Sequence, residues 1–134
     1  MRPYLLAAAV ALTAATASPA TAAGTCAAEA DIPTTAGAHA FGSGRFVCTL
    51  PSSGMTVTVC LESLHPAGAV GWHTETCATG TRSIATVVSA DTAACIQDGL
   101  ALVRTVAFGS NAEGAYAYAA SAPTVAPGVG SCGP

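Results

Sequence analysis

Six cysteines constrain this chain more than any other feature. They stand at positions 26, 48, 60, 77, 95 and 132 of 134 residues, and none shows the short Cys-x-x-Cys spacing of zinc-site or redox pairs. In an exported chain thiols pair, so three disulfides are expected. Each contributes about 2–4 kcal/mol by restricting the unfolded chain.

The N-terminus carries the export signal. Arg2 supplies a positive charge, residues 5–17 are uninterruptedly apolar or small, and Pro19 ends any helix. Ala20-Thr21-Ala22 is a small-x-small cleavage site, which predicts a signal peptide over 1–22 and a mature chain from Ala23. Ala15-Thr16-Ala17 is a second candidate. The apolar run is shorter than the roughly 20 residues a membrane span needs, so a secreted, extracellular protein with no membrane attachment is expected. Lipidation of Cys26 fits poorly, because Thr25 stands where a small Gly or Ala is wanted and five cysteines would remain.

Beyond the signal, three arginines (Arg45, Arg82, Arg104) and no lysine face seven acidic residues, a net charge of about −4. Nucleic-acid binders neutralise phosphates with clustered cations, so nucleic-acid binding is excluded. Only 8% of residues are charged and 51% are hydrophobic, which points to a packed body rather than disorder.

The hydrophobic pattern beyond residue 40 has a period of two, and Gly, Pro, Ser or Asn interrupts it at short intervals. Strands are predicted over 45–50, 55–62, 70–77, 82–88, 100–108 and 115–120. Pro51-Ser52-Ser53-Gly54 is read as a tight turn between the first two, and 91–97 as briefly helical. Residues 23–39 and the Pro/Gly-rich tail from Ser121 are read as irregular, leaving 40–134 as one small, disulfide-bonded, all-β sandwich. Residues two apart share a face. Cys60 then lies with Thr56 and Thr58, opposite Val57 and Val59, and Cys77 lies with His73 and Glu75 on the polar side of its strand. Cys60 with Cys77 is the preferred bridge; the partners of Cys26, Cys48, Cys95 and Cys132 stay open.

The segment Val57-Thr58-Val59-Cys60-Leu61-Glu62, followed by Gly71-Trp72, Cys77, Cys95, Gly99 and Arg104-Thr105, resembles small secreted actinobacterial proteins with immunoglobulin-like β-sandwiches, over about residues 45–110. The resemblance implies a sandwich and brings no activity with it. A true immunoglobulin domain is not implied: Cys60 faces the polar side, 100–108 carries no partner cysteine, and the tyrosine of the E–F corner is missing.

No nucleophile or cofactor motif appears, and no cofactor is expected. His73 and Glu75, with His65, are the best candidates for a metal, but side chains at that spacing are more often simply solvated. Asp31, Asp91 and Asp98 form triads with serines only on paper. Trp72 is read as core. Tyr116 and Tyr118 alternate with Ala115, Ala117 and Ala119, so two rings stand side by side on one face, either buried or exposed as a flat surface for a glycan or protein partner. Thr81-Arg82-Ser83 matches the Thr-basic-Ser tripeptide of serine-protease inhibitor loops. The expected function is noncatalytic extracellular recognition of a protein or glycan, with inhibition of a hydrolase as the alternative and no enzymatic activity. Oligomeric state is not legible.

Overall fold

A computed structural model describes residues 24–65, 71–97 and 99–132; the predicted signal peptide lies outside these residues. Seven strands make up the described chain: β1 (Cys26–Ala30), β2 (Thr34–Ala36), β3 (His39–Leu64), β4 (His73–Cys95), β5 (Ala101–Ser110), β6 (Tyr116–Ala120) and β7 (Thr124–Ala126). All pairings are antiparallel, in one sheet of order β1-β3-β5-β6, with β2 and β4 also on β3 and β7 on β5. No helix occurs among the described residues.

The architecture follows from the length of β3. At about 3.3 Å per residue its 26 residues would reach roughly 85 Å if straight, far beyond a domain of this size, so the strand must bend. It bends between Val47 and Ser52, where residues 48–51 of β3 face Thr86 alone on β4. Such an insertion kinks and twists a strand. It also changes the parity of the buried residues. Ala40, Gly42, Gly44, Phe46 and Cys48 are buried before the bend, and Met55, Val57, Val59 and Leu61 after it. Both halves therefore turn their apolar side to the same space.

The sheet thus folds over itself into two packed layers. One holds β1, β2, the first half of β3 and the second half of β4; the other holds the remaining halves with β5, β6 and β7. Gly42 lies against Leu61 and Thr105, Gly44 against Val59 and Ala107, and Phe46 covers Gly109. A methyl group at Gly109 would overlap the Phe46 side chain. Phe46, Cys48, Met55, Val57, Val59, Val88 and Ala107 form the main core, with Leu61, Val103, Ile96 and neighbouring alanines in a second cluster.

Several expectations are corrected. Residues 51–54 do not reverse the chain: they lie inside β3. Pro51 falls in the unpaired stretch at the bend, where its missing N–H disrupts no ladder bond, and Gly54 adopts φ 57°. Residues 91–95 are strand because each pairs with β3, from Ser43↔Asp91 to His39↔Cys95; that pairing overrides local alanine propensity. The segments read as irregular contain β1, β2 and β7.

The cysteines pair as Cys26–Cys48, Cys60–Cys77 and Cys95–Cys132. The first two bridges join residues directly opposite each other on neighbouring strands, and the third ties the end of β4 to the tail. Trp72 does not enter the core. Its ring lies 4.3 Å from the Arg104 guanidinium carbon, and Arg104 is ion-paired with Glu62 at 2.9 Å.

Candidate recognition face

The outer surface of the layer that carries β6 is built by register. Residues paired across neighbouring strands share a face, so Phe108↔Tyr118, Thr58↔Phe108 and Thr58↔Thr79 place Tyr118, Phe108, Thr58 and Thr79 in one row across four strands. Ser110↔Tyr116, Thr56↔Ser110 and Thr56↔Thr81 place Tyr116, Ser110, Thr56 and Thr81 in the next. A third row holds Ala120, Val106 and the Cys60–Cys77 bridge; Val106 and Cys60 are buried there, so the open surface lies in the first two rows.

The two tyrosines face outward. Tyr116 is 68% and Tyr118 55% exposed, while Ala115 and Ala117 pack on the Phe46 cluster. The reason is steric: Phe46 from the opposite layer occupies the space above Gly109, and Gly109 is paired with Ala117. Only small side chains fit on the inner side there, so the rings take the outer side.

The hairpin that presents them is anchored at its turn. Asn111 Oδ1 accepts from the Ala115 amide at 2.8 Å. Ala112 N donates to the Ser53 carbonyl at 2.9 Å. The Glu113 carboxylate accepts from the Ser53 amide and hydroxyl at 3.0 and 2.7 Å, and these bonds hold its pKa below the usual carboxylate value.

Within the three rows no side chain is charged. Thr58 and Thr79 hydroxyls are 3.1 Å apart and hydrogen-bonded; one hydroxyl proton of the pair is left free for another acceptor. Thr79, Thr81 and Ser110 are exposed, and Thr56, Thr58 and Phe108 are half-buried. The next ionic groups along β3 and β5, Glu62 and Arg104, neutralise each other. The opposite layer differs: its outer side carries Glu29 and Asp31 around Arg45, with Asp91 paired to Ser43.

Thr81, Arg82 and Ser83 lie on β4 and are all exposed. Thr81 and Arg82 pair with Thr56 and Met55, so the tripeptide is held in a strand rather than displayed on a free loop. Thr81 thus belongs to the face. Among the described residues Arg82 makes no ion pair, whereas Arg45 and Arg104 both do.

The other candidates are not brought together among the described residues, outside which Asp98 lies. Glu75 sits at a second register shift, opposite no residue of β3, and its carboxylate accepts a hydrogen bond from the buried Ser63. His73 is exposed, and no group of three metal-ligating side chains occurs among the described residues. Asp31 accepts from the Ser43 hydroxyl at 2.8 Å and from both terminal nitrogens of Arg45, an ionic cluster with no histidine in it. Phe108, Ser110, Thr56, Thr58 and Thr79 were not read as site residues, and Thr81 was read only as part of the inhibitor tripeptide. Their alternation was visible in the sequence, but only the register shows that they share one surface with the tyrosines.

The chain matches no known family model, and no curated protein is significantly similar to it.

Proposed function

We propose that this is a secreted, noncatalytic recognition protein with an immunoglobulin-like sandwich, exported by the signal over 1–22, and that it binds its extracellular ligand on the Tyr116/Tyr118 face. One observation carries the reading: two tyrosine rings stand outward on a sheet surface with no charge in it. Exposed aromatics presented from paired strands lose little conformational freedom on binding, and such rings dominate recognition energetics. Three disulfides fit an oxidising environment.

The test is direct binding to a panel of purified extracellular glycans and proteins by the wild type and by a Tyr116→Ala/Tyr118→Ala variant. Because both rings are exposed, the variant is expected to keep the wild-type circular dichroism spectrum and thermal midpoint. Affinity for any ligand found should fall by about tenfold or more. Undiminished binding by the variant would remove this face from the proposal.

A second reading, inhibition of a trypsin-like protease through Thr81-Arg82-Ser83, is favoured by the exposed Arg82, which makes no ion pair among the described residues. Its guanidinium suits a pocket with a buried carboxylate. Stoichiometric titration of trypsin decides: inhibition lost in Arg82→Ala supports it, and full trypsin activity at equimolar protein removes it.

A further inference from the structure

Resting on the recognition reading above, we infer that the face takes a neutral polysaccharide, its chain laid across the strands from the tyrosine edge to the threonine edge. The size of the face favours a sugar chain over a protein as its partner. Four neighbouring strands at about 4.8 Å spacing give roughly 14 Å between the outermost axes, and the five residues of β6 give a similar length along the strand. The patch is therefore about 200 Å², against roughly 800 Å² per partner in a stable protein interface. Two copies of this chain set face to face meet the same shortfall.

The chemistry matches a sugar chain. A pyranose ring has an apolar C–H surface and a rim of hydroxyls. Each row offers both partners in order: Tyr118 and Phe108, then the Thr58 and Thr79 hydroxyls; Tyr116, then Ser110, Thr56 and Thr81. Rings at one end receive the C–H surface of one unit, and hydroxyls that both donate and accept meet the rim of the units beyond. The chain is neutral because the face is. A uronate or sulfated polymer would find no cation in the three rows: Arg104, beyond them, is held by Glu62 and covered by Trp72, and Arg82, next to Thr81, is paired with the buried Met55 and so lies on the other side of β4.

The experiment is affinity electrophoresis of the mature protein through gels containing a β-glucan, a xylan, a mannan or polygalacturonate. It is run on the wild type, Tyr116→Ala/Tyr118→Ala and Thr58→Val/Thr79→Val, each first shown to be folded by circular dichroism. At least one neutral polymer is expected to retard the wild type. The tyrosine variant should lose tenfold or more in affinity and the threonine variant severalfold, with little dependence on salt because no ion pair is involved. No retardation by any neutral polymer, or preference for polygalacturonate, overturns the inference. If a purified protein is then bound in a Tyr116- and Tyr118-dependent way, the recognition reading survives without the glycan. Retardation that the tyrosine variant retains overturns both.

Discussion

Gly109 and Phe46 show how single positions govern this fold. Gly109 lies under Phe46 with no room for a methyl group, and its φ is not positive, so its requirement is steric rather than conformational. Gly109→Ala is expected to destabilise by about 1–3 kcal/mol through overpacking, seen as a lower urea midpoint; an unchanged midpoint would mean that the layers part easily. Thr105 presents the reverse case. It is fully buried, and its hydroxyl has no hydrogen-bond partner among the described residues. Thr105→Val keeps the shape and removes the stranded polar group, which should raise stability by about 1 kcal/mol in the same assay. Asp31 brings pH into the fold. The Ser43 hydroxyl holds its carboxyl below the usual value; desolvation opposes this and Arg45 assists it. The charged form is thus favoured by folding. Its contribution is fully present above the unfolded value of about 4 and is lost as pH falls through the lowered folded value. Asp31→Asn should narrow the difference in thermal midpoint between pH 7 and pH 3, and an equal difference in both proteins would show that Asp31 plays no part.

At the scale of strands, the Cys60–Cys77 bridge is the element-level clamp, joining β3 to β4 on the outer side of the layer that carries the tyrosines. Replacing both cysteines by serine should cost about 3 kcal/mol, given the 17-residue separation, and lower the urea midpoint accordingly. A loss below about 1 kcal/mol would show that the strand ladder alone holds this pair in place. The pairing was legible because alternation sorts Cys60 and Cys77 to the polar side of their strands, and that local rule survives folding. Pro51 to Gly54 was not legible. Proline, serine and glycine mark a bend and a reversal alike, and the partner strand decides between them. Residues 91–95 were missed for a related reason: short polar and alanine-rich runs carry weak preferences of their own, and Asp91 to Cys95 take strand form from β3. The candidate site divides in the same way. The alternation of Tyr116 and Tyr118 was readable, but the side they face is set by Phe46, which is 70 residues away from Tyr116 in sequence and directly above Gly109 in space.

For the whole molecule, the decisive fact is that β3 and β4 run through both layers. Neither layer can lose its strands without stripping the other, because the halves of β3 that face each other are one continuous element. The layers should therefore unfold together, the more so because both core clusters draw residues from both layers. The pairings that join β5 to the second half of β3 are also distant in sequence, such as Thr56 with Ser110 and Leu64 with Leu102, so loop closure must precede most of the apolar burial. Folding is expected to be slow for so small a chain, on the order of milliseconds to seconds. The disulfide-intact protein offers two separable probes. Fluorescence of Trp72, the only tryptophan, reports on the layer that holds Arg104, and far-ultraviolet circular dichroism reports on all strands. Urea titrations followed by both should superimpose, and stopped-flow refolding should give one dominant phase in that time range. If the Trp72 signal changed at a lower urea concentration than the dichroism, the layer with the tyrosine face would be a separate unit, and the bend in β3 would be a hinge between two folding units rather than the corner of one.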